Sequence, residues 1–241
     1  MVGASGGLGA STLALAVGRR LAATGPPAVV VDLDLGGGGL EVTAGVEHLP
    51  GRRWDDLRHV RGRVPPDLLV QSLPGEAGCS VLSARGGAAL PLPHQAVLDV
   101  LDSLLDGRCT VVLDLPPTSP VLEGAIARAG LVLVALGLRA RALADADACV
   151  DRLLGATEQP GGREAASAPP LHLVTRGGRA RPDLLDDVMA HLGVPHLHHL
   201  VDDVRVPRDA ERGVFPGVSR DAVRECADAV VRALDDRAEA S

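Results

Sequence analysis

Short apolar runs alternate with longer amphipathic stretches along the whole chain. The runs are "AVVVDLDL" (28–35), "CSVLSA" (79–84), "CTVVLDLP" (109–116), "LVLVALG" (131–137), "LHLVT" (171–175) and "HLHHLV" (196–201). They are continuously apolar and do not alternate with polar residues, as expected of strands covered on both faces in a parallel sheet. Between them the spacing predicts helices over 11–24, 94–106, 120–129, 141–155, 182–192 and 219–237. Strand followed by helix, repeated, argues a doubly wound, mostly parallel α/β sheet.

Two segments interrupt this rhythm. Residues 36–39 are four glycines, and 155–170, "GATEQPGGREAASAPP", is poor in apolar residues and expected to be a surface loop. Neither an internal repeat nor a domain boundary is visible, so one domain over residues 1–241 is expected. In a nucleotide-binding α/β fold the phosphate loop follows a central strand, yet only Met1 and Val2 precede the glycines here. The expectation is a first strand that is largely missing, with the chain cut at its start.

Composition narrows the classes. No apolar run approaches the roughly 18 residues that span a bilayer. A signal peptide places its charge first, whereas Arg19 and Arg20 come late in the opening stretch; a cytoplasmic protein is expected. Cys79, Cys109, Cys149 and Cys226 lie far apart, with no CxxC pair, which argues against zinc and disulfides. A formal net charge of −7 gives no support for nucleic-acid binding. All 24 basic residues are arginine, and lysine, tyrosine and asparagine are absent. A missing lysine therefore carries meaning only where chemistry requires one.

The opening "MVGASGGLGASTLALAVGRRL" allows two readings. Gly3, Gly7 and Gly9 fit the TGxxxGxG pattern of short-chain dehydrogenases, with Val2 in the Thr place. An acid at 32 or 34 would then hold a ribose hydroxyl. That chemistry uses a Tyr and a Lys, and the chain has neither. Alternatively, Gly6, Gly7 and Gly9 with Ser11 and Thr12 fit the KGGxGK[ST] phosphate loop, with Ser5 and Ala10 in the two lysine places. The downstream order favours the second. "VVVDLDL" ends a strand on Asp32 and Asp34, and "TVVLDLPP" ends another on Asp114 before a Pro-Pro turn. Strand tips are where open α/β sheets take ligands, and a carboxylate after such a strand suits Mg²⁺. The plainer alternative is that these aspartates merely end strands or cap helices.

The ordered set "GASGGLGASTLA", "VVVDLDLGGGGLEVTAGVE", "RRWDDLRHVRGRV", "CTVVLDLPP" and "VDDVRVPRDAERG" resembles the MinD/ParA superfamily of deviant P-loop NTPases, and more narrowly its CpaE/TadZ-like branch. The resemblance implies ATP and Mg²⁺ as ligands, with residues Gly6, Gly7, Leu8, Gly9, Ala10, Ser11 and Thr12 around the phosphates. It implies Ser11 and Asp114 on the metal, and Asp34 as the catalytic group that orients the attacking water. It further implies a homodimer, a secretion or pilus ATPase as partner, and recruitment to the cell pole, septum or a membrane-bound machine through partners. With no lysine at 5 or 10, weak or absent hydrolysis is expected; an active ATPase and an NAD(P)-binding protein remain as alternatives.

Three lesser features stand out. His196 and His198 are expected on one side of a strand, near His191 and His199. A strand-end cluster is favoured over a metal site, since no acid or cysteine adjoins them. The arginine-rich segment 52–63 around Trp54 reads either as a partner-binding or anionic surface, or as a solvated helix over a buried tryptophan. The last helix carries more acids than arginines and reads as a packing helix rather than a membrane anchor.

Overall fold

A computed structural model describes residues 1–36, 39–85, 91–158 and 168–239. The strands are β1 (Val2–Gly3), β2 (Ala28–Asp32), β3 (Gly75–Glu76), β4 (Cys79–Leu82), β5 (Thr110–Asp114), β6 (Val132–Gly137), β7 (Leu171–Gly177) and β8 (His196–Val201). The helices are α1 (Ala10–Thr24), α2 (Leu40–Ala44), α3 (Trp54–Leu57), α4 (Pro66–Gln71), α5 (His94–Leu105), α6 (Leu122–Ile126), α7 (Ala140–Glu158), α8 (Pro182–Leu192), α9 (Arg205–Ala210) and α10 (Ala222–Glu239). All six expected strands and all six expected helices are present. Residues 155–158 close α7, so a loop does not begin at 155. The remainder of that expectation, at 159–167, and Gly37 and Gly38 of the glycine run lie outside the described residues.

The continuous apolar runs are explained by two cores. Val29 and Val31 of β2 enter one core while Val30 enters another; Val132, Val134 and Leu136 of β6 face one side and Leu133 the other. Successive side chains point to opposite faces of a strand, so a sheet covered by helices on both faces needs apolar residues at every position. Helices α1 and α10 cover one face, and α5, α6 and α7 supply the opposite core. Contact with α1 is close because residue 18 is glycine. A Cβ there would collide with Cγ2 of Val30 and lie 3.2 Å from the Cys79 thiol.

Strand pairing gives two four-stranded ladders, β3-β4-β2-β5 and β1-β6-β7-β8, parallel throughout except for β3 with β4. Met1 joins them. Its ammonium donates to the carbonyl of Leu113 at 2.8 Å, and the Leu115 N–H donates to the Met1 carbonyl at 3.0 Å. β1 is two residues long, and Met1 ahead of it bonds to the other ladder while α1 packs on strands of both. Among the described residues no helix is long and apolar enough to cross a membrane.

The final helix starts at Ala222, three residues later than its periodicity predicts, because Asp221 caps it by accepting the Arg224 N–H at 2.9 Å. Its buried face is Val223, Cys226, Ala227, Val230 and Val231. Three short helices, α2, α4 and α9, occupy stretches for which the sequence pattern predicts none, while α3 lies within 52–63, where a solvated helix over a buried tryptophan is one of the two readings.

Candidate functional site

Helix α1 begins directly after the glycine loop, so the loop's amides and the helix N-terminus point the same way. Gly9 adopts the left-handed conformation at the helix start (φ +78°), and no side chain caps that end. Gly7 shares this conformation, and Gly6 and Gly7 are exposed, with nothing within 4 Å of a would-be Cβ. Leu8 lies against the tip of β6 near Gly137. Ala10, Ser11 and Thr12 form the half-buried first turn.

Behind this turn, a pocket of about 240 Å³ brings together Ser11 of α1, Asp32 and Asp34 from the end of β2, Asp114 from the end of β5, and Gly39, Leu40, Val42 and Thr43 at α2. Three expected residues from separate parts of the chain, Ser11, Asp34 and Asp114, thus meet on one wall. The loop residues 6–10 stand beside the pocket and do not line it.

The two acids of the DLD motif have different environments. Asp32 is buried and accepts hydrogen bonds from the Ser83 hydroxyl (2.6 Å), the Leu40 N–H (3.0 Å) and the Asp34 N–H (2.9 Å). It shapes the turn and the start of α2. Despite those bonds, burial pushes its carboxyl up to about 6. Asp34 is exposed and faces the pocket. Asp114 is raised by burial and by the charge of Asp34, while the Ser11 hydroxyl and the Met1 ammonium pull it down. A buried carboxylate facing a second one, with a hydroxyl beside it, is a donor set suited to a hard cation. Among the described residues no three His, Cys, Asp or Glu side chains could hold a metal by themselves. A cation here would need ligand oxygens from a phosphate as well.

Sequence reasoning missed the cation of this site. Arg176, at the end of β7, donates from Nη1 to the Gly7 carbonyl at 3.2 Å and from Nε to Asp202 at 3.0 Å. Its Nη1 would lie 2.8 Å from a Cβ at position 9, so Gly9 is needed both for its φ and for the guanidinium against it. The only sequence signal is its place at the end of an apolar run, which many residues share.

The arginine-rich segment is mostly structural at its core. Trp54 is buried and its indole N–H donates to the Asp32 carbonyl at 2.7 Å. Arg53 is also buried, bonded to Glu41 and to the carbonyls of Gly51 (2.8 Å) and Leu49 (3.0 Å). The neighbouring Arg52, Arg58, Arg61 and Arg63 are exposed. In β8, the residues that converge are His196 and His199, and not His196 with His198 as period-two alternation predicts. A bulge between Leu173 and Val174 shifts the register, so that Leu173 pairs His196 while Val174 pairs His198. His199 Nε2 lies 2.7 Å from the Gly178 carbonyl and therefore donates to it; in the neutral ring Nδ1 then accepts from the Thr175 hydroxyl at 2.9 Å. The Thr175 oxygen in turn receives the His196 Nε2 proton at 2.9 Å.

With loop, pocket and sheet order in place, the fold is that of the MinD/ParA P-loop ATPases. It matches a ParA family ATPase from Chlorobium tepidum with a TM-score of 0.78 at 14% identity, covering 95% of each chain. The cell division protein MinD of Aquifex aeolicus matches at 0.72 and 16%, covering 97% of this chain and 96% of that one. MinD of Pyrococcus horikoshii, solved with Mg-ADP, matches at 0.71 and 14%, covering 98% and 96%. No family model matches the sequence. In sequence the chain is similar to two uncharacterized proteins from Mycobacterium tuberculosis strains CDC 1551 and H37Rv. Each is 34% identical over 219 residues, which is 88% of this chain, and the chain spans 57% of their length.

Proposed function

We propose that this chain binds a nucleoside triphosphate with Mg²⁺ at the glycine loop, hydrolyses it weakly or not at all, and acts as a localisation or assembly factor. The observation that carries this reading is the meeting of Ser11, Asp34 and Asp114 on one pocket wall beside an uncapped, glycine-led helix N-terminus. Backbone N–H groups of residues 6–12 would hold the phosphates, Ser11 and Asp114 the cation, and Asp34 a water molecule for attack. Mg²⁺ would supply charge neutralisation on the phosphate oxygens. Weak hydrolysis follows from Ser5 and Ala10, which place no ammonium inside the loop. Arg176 sits on the loop carbonyl side and is already tied to Asp202.

The fold neighbours include cell division and partition proteins, which supports a positioning role. A CpaE/TadZ-like identity, a homodimer, a pilus or secretion ATPase as partner, and a place at the pole or septum are finer parts of the same proposal. Calorimetric titration tests it: Mg-ATP should bind and NADPH should not, with Ser11→Ala and Asp114→Ala each weakening ATP binding at least tenfold. Unchanged affinity in both variants refutes the assignment of the site. Phosphate release at the rate of an ordinary ATPase of this fold refutes the weak-hydrolysis part alone.

A further inference from the structure

The glycine loop is rich in donors that lack acceptors. Among the described residues, no amide from Ser5 to Thr12 makes a hydrogen bond of normal geometry to the protein. The amides on either side do: Ala4 donates to the Ala135 carbonyl and Leu13 to the Gly9 carbonyl, each at 2.9 Å. Between those two anchors, one peptide group of the loop is held from outside. The Gly7 carbonyl accepts from Nη1 of Arg176 at 3.2 Å.

That bond orients more than the carbonyl. The Gly7 carbonyl and the Leu8 N–H share one planar trans peptide, so they point in opposite directions. Holding the oxygen on the guanidinium turns the Leu8 N–H away from the arginine and leaves it open to a ligand. Gly7 and Gly9 on either side of Leu8 both adopt left-handed φ, and without the bond such glycines leave this peptide free to rotate. The cation also draws electron density from the carbonyl, which makes the N–H on the same plane a stronger donor.

The guanidinium is placed for this task. Its Nε donates to Asp202 at 3.0 Å while Nη1 meets Gly7, and the planar fork fixes one bond relative to the other. Asp202 is anchored in turn by its own N–H, which donates to the Gly177 carbonyl at 2.9 Å. Residue 9 makes room by having no Cβ, since one would lie 2.8 Å from Nη1. The Arg176 and Asp202 side chains are 32% and 61% exposed, and an ion pair of that exposure contributes little to folding. Its effect on a ligand is therefore separable from stability.

We infer that Arg176 is a positioning residue for phosphate binding: from the end of β7 it aims and polarises the Gly7–Leu8 peptide, and so partly replaces the ammonium that Ser5 and Ala10 do not supply. This rests on the phosphate reading of the glycine loop.

Calorimetry with Mg-ATP and with Mg-tripolyphosphate, which has neither base nor sugar, tests the inference on the wild type, Arg176→Gln, Arg176→Ala and Asp202→Asn. The Leu8 amide signal of the ligand-free protein is the second readout. Both Arg176 variants should weaken both ligands at least tenfold and by the same factor. They should move the Leu8 signal and leave the urea midpoint, followed by Trp54 fluorescence, unchanged. Asp202→Asn should weaken both ligands by less. A loss confined to Mg-ATP means that Arg176 meets the nucleoside and overturns the inference. Unchanged affinity for both ligands, an unmoved Leu8 signal, or a loss seen only alongside a lowered urea midpoint overturns it as well. A wild type that binds neither ligand refutes the phosphate site itself, and the inference falls with it.

Discussion

The wall of the pocket should fail when Arg53 loses its charge. Arg53 and Glu41 form an ion pair whose side chains are 4% and 7% exposed. Glu41 belongs to α2, and the first residue of that helix, Leu40, is held by Asp32 and by the Ser83 oxygen at 2.9 Å. Arg53→Met leaves the Glu41 carboxylate buried without a counter-charge and removes donors from the Gly51 and Leu49 carbonyls. Breaking one side of a buried pair costs about 3–5 kcal/mol. A domain holds about 5–15 kcal/mol in all, so about a fifth or more of the stability is at stake. With a urea slope of about 3 kcal/mol/M, the unfolding midpoint should fall by roughly 1–1.7 M. Trp54, the single tryptophan, adjoins Arg53 and reports the transition by fluorescence. The double variant Glu41→Leu/Arg53→Met should be more stable than Arg53→Met alone, since it removes the stranded charge. A midpoint shift below about 0.3 M in the single variant, or purely additive losses in the double, would refute this account of α2.

Two further outcomes follow from the site. Ala10→Lys restores an ammonium within the loop and should raise Mg-ATP affinity at least tenfold and switch on phosphate release; no gain in either would show that the loop does not hold phosphates. Asp32 gives a pH signature. Its folded-state value of about 6 lies above the ordinary 3.8 of an aspartate, so the folded protein holds this proton more tightly than the unfolded chain. Its contribution therefore favours folding below about pH 4 and is lost as pH rises from about 4 to about 6, by about 3 kcal/mol. Relative to Asp32→Asn, the wild type should lose that much stability across the window in urea titrations; a flat difference excludes it.

How far the sequence could be read depended on how local each cause is. The core strands were legible because both of their faces are buried, which writes an unbroken apolar run. Helices α2, α3, α4 and α9 span four to six residues, too short for a 3.6-residue period to repeat. Nothing local separates Asp32 from Asp34. The distinction comes from Ser83, just past the end of the neighbouring strand β4 and 51 residues away. Arg176 reaches Gly7 across 169 residues, and the register shift between β7 and β8 reverses the expected facing of the histidines with no glycine or proline inside β8 to announce it. The motif order placed Ser11, Asp34 and Asp114 together because strand tips gather along one edge of a parallel sheet whatever the loops between them do.

The seam at Met1 gives the molecule a mechanical character. The glycine loop and Arg176 hang from the ladder β1-β6-β7-β8, while Asp32, Asp34 and Asp114 belong to β3-β4-β2-β5. Met1 carries backbone hydrogen bonds between the two, and α1 packs on strands of both. A ligand that touched both the loop and the carboxylates would act as a cross-brace over that joint. Its binding energy would be spent partly on resisting shear between the ladders, so occupancy would be felt as stiffness by whatever grips either outer edge.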